Sequence, residues 1–348
     1  MSNITLGIIG GGQLGSMLAI AAKKLGIKII IFCDDLEAPA QNFCDEFIGA
    51  KYDDKEKINE FVNKVDVVTY DFENIPYETL NDINKLKPVL PKPSVNRLIQ
   101  HRLAEKDFVN KLNIRTTRYV SVENQSDIDV LEDFLPGIIK TTTLGYDGKG
   151  QYPIKKIEDI NSLNIDFSKG YILEKLVKLK KEISVIITRF GNNKFEIYEP
   201  IENIHQEQIL KYSKIPAEIS QKILVQSKDW ATQIAEELKY IGTLCVEFFV
   251  DRNENLYVNE IAPRVHNSGH LTINAYNVIQ FENHVRAVCS LEKIPLKKIS
   301  NAKMINLIGN QIKPYRQNFK LNDNEFFFDY LKKEIKEKRK MGHITTLI

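Results

Sequence analysis

The sequence feature that most constrains the fold is a glycine-rich turn close to the N-terminus, in the stretch GIIGGGQLG. Gly10, Gly12 and Gly15 fit the spacing G-x-G-x-x-G, and an apolar run precedes them. This combination predicts a strand, a tight turn and a helix, with the backbone of the turn able to approach a nucleotide phosphate. Asp34 and Asp35 follow at about the spacing, roughly 20 residues, of a ribose-binding carboxylate. The first residues taken alone therefore favour a dinucleotide-dependent oxidoreductase.

Strand-like and helix-like segments continue to alternate up to residue 92. The apolar stretches ITLGII, IKIIIFC and VDVVTYDF predict strands, and the periodic stretches between them predict helices. Such alternation indicates a parallel sheet covered by helices. The segment supplies one mononucleotide-binding half, whereas a dinucleotide domain is built from two. We therefore predict a Rossmann-like α/β domain over residues 1–95.

The remainder of the chain changes to an α+β pattern. Short strands follow one another from residue 114 to about residue 200, and a long amphipathic helix and two more strands come after them. We predict a central domain over residues 96–290, with a small lobe over residues 114–178, and a C-terminal domain over residues 291–348. A chain of 348 residues with 43% hydrophobic residues can form two or three domains with substantial cores. The predicted fold class is α/β and α+β.

Charge and cysteine content argue against several classes of partner. The formal net charge is +2, which gives no electrostatic reason to expect nucleic acid or a membrane surface. Cys33, Cys44, Cys245 and Cys289 include no C-x-x-C pair, which indicates reduced and inert thiols. Neither a leader pattern nor an apolar run of membrane-spanning length is present. We therefore predict a soluble, cytoplasmic protein.

The stretch KTTTLGYDGKGQ, from Lys140 to Gln151, is rich in glycine, threonine and lysine. Backbone N–H groups of such a loop can surround phosphate oxygens, and lysine adds positive charge. The loop lacks the Walker A spacing. A phosphate-binding loop and an ordinary surface hairpin are both compatible with this stretch.

Two glutamates flank a predicted hairpin turn in the stretch DRNEN. A symmetric hairpin centred between Asn253 and Glu254 places Glu247 directly opposite Glu260. Opposed like charges destabilise a sheet unless a cation lies between them. Oxygen ligands beside a phosphate loop predict Mg²⁺. The alternative is a slipped register that leaves both acids in solvent.

Two polar segments remain. NEIAPRVHNSGH, from Asn259 to His270, carries two histidines four residues apart, as in some zinc sites. Pro263 and the Asn-Ser-Gly sequence between the histidines favour a loop over a helix, so zinc is disfavoured and the loop is interpreted as substrate-binding or structural. KKEIKEKRK, which begins at Lys332, is either a solvated face or a source of cations for a phosphorylated substrate.

These features together resemble the ATP-grasp superfamily. GGGQLG, DFEN, GYDGKGQ, EPIENIHQ, NEIAPRVHNSGH, MINLIG and RKMGHIT occur in the order found in the 5-(carboxyamino)imidazole ribonucleotide synthase family. The resemblance covers essentially the whole chain. It implies a pre-ATP-grasp domain, a two-lobed ATP-grasp domain and a small C-terminal part. It also implies ATP-dependent carboxylation of 5-aminoimidazole ribonucleotide with bicarbonate, through carboxyphosphate, in purine biosynthesis, by a homodimer.

By this resemblance, ATP is bound together with Mg²⁺, or alternatively Mn²⁺. The residues implied for ATP are Arg102, Lys106, Lys140, Gly145, Gly148, Lys149, Gly150, Gln151, Glu174, Lys175, Val177, Glu182, His205, Asn259 and Glu260. Arg102 and Lys140 would contact the phosphates, and Glu182 the ribose. Glu247 and Glu260 would bind the metal, in agreement with the pairing inferred from the hairpin.

The resemblance also implies a substrate pocket at the glycine-rich turn, where the anion would be a substrate phosphate. The residues implied for the substrate are Gly12, Gln13, Leu14, Glu73, Arg264, Asn267, Ser268 and His270. Tyr146 and Asp147 would lie at the aminoimidazole as catalytic residues, with Asp147 orienting or deprotonating its amine. Lys332 and Arg339 would hold the ribose 5-phosphate or the transferring group, with Lys333 an alternative to Lys332.

Three other functions remain as alternatives. Another ATP-grasp ligase, such as the formate-dependent glycinamide ribonucleotide transformylase, differs in the HNSGH and GYDGKGQ loops. An oxidoreductase requires a second βαβ half, which the sequence does not offer. A non-catalytic nucleotide sensor would not need the full set of metal, phosphate and substrate residues.

Overall fold

The computed structural model describes residues 4–124, 127, 132–143, 150–161, 166–317 and 320–348. Its N-terminal part is a four-stranded parallel sheet in the order β3-β2-β1-β4. The elements are β1 (Thr5–Ile9), α1 (Gln13–Lys24), β2 (Lys28–Cys33), β3 (Glu46–Gly49), α2 (Lys55–Val62), β4 (Val67–Tyr70) and α3 (Tyr77–Asn84). A single mononucleotide-binding half is therefore present, as the alternation predicts.

Two details of this sheet differ from the sequence pattern. β3 is a strand that the pattern does not indicate, and it pairs with β2 through Ile48 and Phe32. The stretch PVLP, whose apolar residues 88–91 also predict a short strand, contributes only a single parallel bridge between Val89 and Val68. Both segments are too short to show a periodicity of their own, so the neighbouring strands determine their conformation.

Two short helices, α4 (Pro93–Ile99) and α5 (Arg102–Lys111), lead from this sheet into a small antiparallel lobe. The lobe contains β5 (Tyr119–Val122), β6 (Gly137–Thr141), β7 (Gln151–Ile154), α6 (Ile157–Asn161) and β8 (Tyr171–Lys175). Its strand order is β5-β8-β6-β7. Val122, Ile139 and Leu173 are fully buried in its core.

The third sheet has nine antiparallel strands and continues to the C-terminus. Its elements are β9 (Leu179–Arg189), β10 (Phe195–Ile197), β11 (Ile201–Gln206), β12 (Ile209–Ile215), α7 (Gln221–Glu237), β13 (Gly242–Asp251), β14 (Leu256–Ala262), α8 (Thr272–Ala275), α9 (Gln280–Val288), β15 (Ala302–Ile308), α10 (Lys313–Arg316), β16 (Glu325–Asp329) and β17 (Lys340–Leu347). The order is β14-β13-β9-β11-β12-β15-β17-β16, and β10 pairs with β9. The C-terminal strands thus extend the sheet of the central part of the chain.

Amphipathic helices cover this sheet and join it to the N-terminal part. Ile223 and Ile234 of α7 pack in one buried cluster with Phe248 of β13. Phe281 of α9 shares a second cluster with Leu18 of α1. These shared cores position the glycine-rich turn beside the nine-stranded sheet.

No helix among the described residues is long and apolar enough to cross a bilayer.

Candidate active site

A cavity of about 1540 Å³ lies where the three sheets meet. Its wall is formed by the glycine-rich turn, the small lobe, β13 and β14, and the C-terminal basic segment. The predicted site residues that line it are Gly12, Gln13, Leu14, Glu73, Arg102, Lys140, Gln151, Glu174, Lys175, Val177, Glu182, His205, Glu247, Asn259, Glu260, Arg264, Asn267, Lys332 and Arg339. Residues separated by up to 327 positions thus converge on one cavity, from Gly12 to Arg339.

The glycine-rich turn holds an anion that belongs to the chain itself. Asp71, at the end of β4, accepts a hydrogen bond of 2.8 Å from the backbone N–H of Gly15. A Cβ atom at Gly10 would lie 1.9 Å from Asp71 Oδ1, and one at Gly15 would lie 2.8 Å from Oδ2. The glycines are therefore required by the close approach of Asp71. Asp71 is thus an anion of the chain itself beside the N-terminus of α1, and a substrate phosphate at this turn stays a prediction.

Asp71 is buried, and burial changes its pKa. It raises the pKa of this carboxyl group to about 6, although hydrogen bonds from Gly15 and Gly12 and the charge of Arg264 act in the opposite direction. Gly12, Gln13 and Leu14 remain on the cavity wall, so the turn bounds the cavity while Asp71 supports it from within.

Glu73 and Arg264 form a partly buried ion pair at the same end of the cavity. Burial alone would raise the pKa of Glu73, but the charge and hydrogen bond of Arg264 lower it below its usual range. The guanidinium also donates to the carbonyl of Val265 over 3.1 Å. One carboxylate oxygen pair and one cation are therefore fixed in place before any ligand arrives.

A second buried group of charges lies at the small lobe. Glu174 of β8 is 3.0 Å from Lys140 Nζ of β6 and 3.3 Å from Lys106 Nζ of α5. It also accepts a hydrogen bond of 2.7 Å from the hydroxyl of Thr117. Burial alone would raise the pKa of Glu174, but the two lysines hold it well below its usual range.

Only one of the two lysines in this cluster reaches the cavity. Lys140 is on the cavity wall, whereas Lys106 is 2% exposed and lies outside the lining, behind Glu174. Lys106 therefore acts on the cavity through Glu174. Gly150 also lies outside the lining, with a φ of +70° and with Thr141 Oγ1 2.6 Å from where its Cβ would be.

The two glutamates of the hairpin are paired as the sequence predicts. Glu247 of β13 faces Glu260 of β14, and the register shifts immediately beside this pair, between Glu247 and Phe248. The turn itself is not symmetric about the predicted centre, since Val250 pairs with Leu256. The irregularity at Asn259 restores the expected pairing.

A histidine and an arginine contact the two opposed carboxylates. His266 Nε2 lies 3.0 Å from Glu247 Oε1, and Arg102 donates to Glu260 Oε2 over 3.4 Å. Burial alone would raise the pKa of Glu247, but His266 lowers it to about 2. Glu105 of α5 accepts a hydrogen bond of 2.5 Å from the N–H of Ile261, which follows Glu260. Burial and the charge of Glu260 raise the pKa of Glu105 to about 8.

The ion pair of Glu182 and His205 joins β9 to β11 on the cavity wall, with 2.5 Å between the carboxylate and Nδ1. Burial alone would lower the pKa of His205, but Glu182 raises it. Leu176 and Val177 lie nearby between β8 and β9, and Leu176 is half exposed. This end of the cavity combines a polar pair with an apolar rim.

The C-terminal basic segment reaches the cavity, and its first two lysines have different surroundings. Lys332 Nζ donates to Gln13 Oε1 over 2.7 Å. Lys333 instead pairs with the exposed Glu37, and its side chain is 70% exposed. The geometry therefore favours Lys332 as the residue of the site, and Arg339 lies on the same wall.

Two predicted substrate residues lie beneath the wall. Ser268 and His270 are fully buried. Ser268 is 2.8 Å from Ser184 Oγ, and His270 is 3.3 Å from the Gln13 amide nitrogen. They are in position to orient residues that line the cavity. The His266 and His270 rings have different partners, so the two histidines do not form a joint zinc site.

Some predictions fall outside the described residues, and some wall residues carry no prediction. Gly145, Tyr146, Asp147, Gly148 and Lys149 are outside the described part of the chain. Sequence reasoning missed Asp71, Glu105, His266 and Lys340 as individual site residues. The DFEN motif and the HNSGH loop pointed to the neighbourhood of Asp71 and His266. No local signal distinguishes Glu105, which the packing of α5 on β14 brings to the site.

Three segments of the chain match known protein families. Residues 107–281 match the ATP-grasp domain, and residues 3–100 match the ribonucleotide synthetase preATP-grasp domain. Residues 302–348 match the phosphoribosylaminoimidazole carboxylase C-terminal domain. The chain therefore belongs to the ATP-grasp family, as an ATP-grasp ligase. The hypothesis of a dinucleotide oxidoreductase is wrong, whereas the predicted fold class is confirmed.

Full-length relatives define the branch of this family. The chain is 37% identical over 348 residues to N5-carboxyaminoimidazole ribonucleotide synthase of Staphylococcus aureus (strain COL), covering 99% of this chain and 92% of the relative. It is 38% identical over 344 residues to the enzyme of the same name from Bacillus subtilis (strain 168), covering 98% and 90%. The chain belongs to the N5-carboxyaminoimidazole ribonucleotide synthase family, and the resemblance stated from its motifs is confirmed.

A solved structure supports the same assignment. The crystal structure of N5-carboxyaminoimidazole synthetase from Staphylococcus aureus complexed with ADP matches with a TM-score of 0.94 and 37% identity. The match covers 99% of this chain and 93% of that chain.

Proposed function

We propose that the chain converts 5-aminoimidazole ribonucleotide, bicarbonate and ATP into 5-(carboxyamino)imidazole ribonucleotide, ADP and phosphate, in purine biosynthesis. Membership of the synthase family supports ATP and the aminoimidazole ribonucleotide as substrates. The observation that carries the proposal furthest is the convergence of Lys140, Glu247, Glu260, Arg264 and Lys332 on one cavity. Such a wall offers separate cationic and carboxylate positions for a triphosphate and a phosphorylated substrate.

Glu247 and Glu260 are the proposed ligands of a divalent cation, Mg²⁺ or alternatively Mn²⁺. The directly opposed carboxylates fit this role, because they supply the oxygen donors that both ions prefer and their mutual repulsion disappears when a cation binds. Asn259 lies beside them on the wall. A cation bound there would neutralise charge on the ATP phosphates.

The remaining charges suit transfer of a phosphoryl group. Lys140 and Arg102 are the proposed contacts of the ATP phosphates, and Glu182 with His205 the proposed ribose contacts. A bicarbonate oxygen attacks the terminal phosphorus of ATP and the bond to ADP breaks, which yields carboxyphosphate. Positioning and charge neutralisation are the main requirements of this step.

The second step joins nitrogen to carbon. The exocyclic amine of the aminoimidazole attacks the carboxyl carbon of carboxyphosphate, or CO₂ released from it, as phosphate leaves and the amine loses a proton. Asp147 is the proposed group that orients or deprotonates the amine, with Tyr146 beside it. Gln13, Glu73, Arg264 and Lys332 are the proposed contacts of the ribonucleotide.

The proposal is tested by ADP release with each substrate omitted in turn. We expect release that requires both bicarbonate and 5-aminoimidazole ribonucleotide. ADP release with formate and glycinamide ribonucleotide instead would contradict the proposal. Glu260→Gln should abolish turnover without loss of the folded state. The control variant Glu218→Gln, at an exposed carboxylate paired with Lys214, should retain turnover.

We further propose a homodimer, on the resemblance to the family. Light scattering coupled to size-exclusion chromatography measures the mass of the particle directly. A mass of one chain across the working concentration range would contradict this proposal.

A further inference from the structure

A ligand set of a different chemical kind lies at the floor of the cavity, and the proposed reaction does not use all of it. Cys245 and Glu247 are two residues apart on β13, so their side chains leave the same face of the strand. The imidazole of His266 stands against them, with Nε2 3.0 Å from Glu247 Oε1. One donor atom from each of the three side chains lies within 4.8 Å of the other two.

The donor types differ from those that Mg²⁺ selects. Mg²⁺ takes oxygen ligands, whereas a thiolate, an imidazole and a carboxylate together suit Zn²⁺. A tetrahedral Zn²⁺ with bonds of about 2.0 to 2.3 Å places neighbouring donors about 3.3 to 3.6 Å apart. Glu247 Oε1 and His266 Nε2, 3.0 Å apart, are already close to this spacing, and the Cys245 sulfur lies within 4.8 Å of a donor atom of each of them. We propose that Cys245, Glu247 and His266 form a binding site for Zn²⁺, with its fourth position open to the cavity.

The surroundings of the three side chains support coordination. Ser268 Oγ lies 2.9 Å from His266 Nδ1. Ser268 is held in turn by Ser184, 2.8 Å away. The backbone N–H of Ser268 donates to His266 Nδ1 over 3.4 Å and fixes the ring, and the proton that Nε2 shares with Glu247 leaves when Nε2 bonds to the metal. The proton of the Cys245 thiol passes to solvent as the sulfur–metal bond forms.

Two of the three ligands face the cavity, Cys245 is fully buried beside them, and Glu247 is shared with the proposed Mg²⁺ site. Glu247 and His266 both line the cavity, with side chains 12% and 14% exposed. Zn²⁺ bound to Glu247 removes a carboxylate from the proposed magnesium pair and fixes His266. The bound ion therefore inhibits the enzyme, and a higher concentration of Mg²⁺ relieves the inhibition.

Cobalt(II) is a spectroscopic probe for the site in the metal-free full-length protein. We expect one equivalent of Co²⁺ to give a thiolate-to-cobalt charge-transfer absorption in the near ultraviolet, which excess Zn²⁺ removes. The absorption should be lost in Cys245→Ser and in Cys245→Ala. It should persist in Cys44→Ser, which removes the half-buried thiol outside the site. The titration contains no substrate, so its result is independent of the proposed function.

Inhibition provides a second readout. Cys245 is outside the proposed catalytic and substrate contacts, so Cys245→Ser should retain turnover in Mg²⁺. The Zn²⁺ concentration for half-inhibition should rise about tenfold or more in this variant, since one of three ligands is lost. No charge-transfer absorption in the wild-type protein, or its persistence in both Cys245 variants, would overturn the proposal. Unchanged sensitivity to Zn²⁺ in Cys245→Ser would do the same.

Discussion

Lys332 donates a hydrogen bond to the side-chain oxygen of Gln13 over 2.7 Å, across 319 positions of the sequence. The same ammonium group donates to the carbonyl of Lys340 over 2.8 Å. The first residue of α1 and the segment before β17 are thus joined at the cavity wall. The Gln13 amide nitrogen lies 3.3 Å from His270 Nε2, which links this contact to the buried residues beneath.

Replacement of Lys332 tests its assignment to the substrate. Lys332→Met keeps the apolar stem but removes the cation, and a charged hydrogen bond contributes about 1.5 to 3 kcal/mol. We expect kcat/KM for 5-aminoimidazole ribonucleotide to fall about 10- to 100-fold, with little change in KM for ATP. Lys333→Met is the matched control, because Lys333 pairs with Glu37 in solvent. Equal losses in the two variants would contradict the assignment.

The buried Lys140, Glu174 and Lys106 cluster predicts a stability effect. Glu174→Gln leaves two lysines without their common carboxylate, and loss of one member of a buried ion pair costs about 3 to 5 kcal/mol. Urea unfolding should show this decrease in the free energy of unfolding. Lys106→Met combined with Glu174→Gln should recover part of it. Glu218→Gln, at a carboxylate whose side chain is 70% exposed, should change stability by less than about 1 kcal/mol.

Asp71 predicts a pH dependence of stability. Its pKa rises from 3.8 to about 6 on folding, so the folded protein retains this proton over a range in which the unfolded chain has released it. Unfolding then releases a proton between about pH 4 and pH 6, and this contribution to the free energy of unfolding is lost as the pH rises through that window.

The corresponding variant is Asp71→Asn, which keeps an acceptor for the Gly15 N–H but does not titrate. A shift of about two pKa units corresponds to about 3 kcal/mol. We expect the wild-type protein to lose about 2 to 3 kcal/mol relative to the variant between pH 4 and pH 6, as measured by urea unfolding. Parallel pH profiles would show that Asp71 is not the responsible group.

The opposed carboxylates predict an effect of metal removal on nucleotide binding. Excess ADP at about 100 times its dissociation constant stabilises a protein by about 2.7 kcal/mol. In thermal unfolding, we expect chelation of divalent cations to reduce the stabilisation by ADP in the wild-type protein. Glu260→Gln should show a small stabilisation that chelation does not change. Equal sensitivity to chelation in both proteins would argue against Glu260 as a metal ligand.

The fold could be predicted from the sequence where hydrophobic periodicity is strong. The parallel N-terminal sheet and α7 follow from such patterns, whereas β3 has only four residues and begins at Glu46. The hairpin prediction of Glu247 opposite Glu260 was correct, although it assumed a symmetric turn. The irregularity beside Asn259 offsets the different centre of the turn, and no sequence pattern specifies such a compensation.

The site was harder to predict because its charges are paired across distant elements. The pattern around Glu174 indicates a strand, but only the order of β5, β8 and β6 brings Lys140 beside it. Asp71 and Gly15 are 56 positions apart, so the glycine spacing alone suggested an external anion. Lys332 points towards the cavity and Lys333 towards solvent, and the run of charged residues in the sequence does not indicate which of the two points inward.

The continuation of the nine-stranded sheet into the C-terminal part has a consequence for shortened forms of the chain. β12 is hydrogen-bonded on one side by β15 from Ala302 to Ile305. A chain cut before Ala302 would leave these backbone groups of β12 without hydrogen-bond partners, as an open edge of the sheet. It would also lack the Met304 side chain, which is fully buried in the neighbouring core cluster. Open edges of this kind pair with other chains. We therefore expect a chain truncated before Ala302 to self-associate through β12 and not to form a smaller active enzyme.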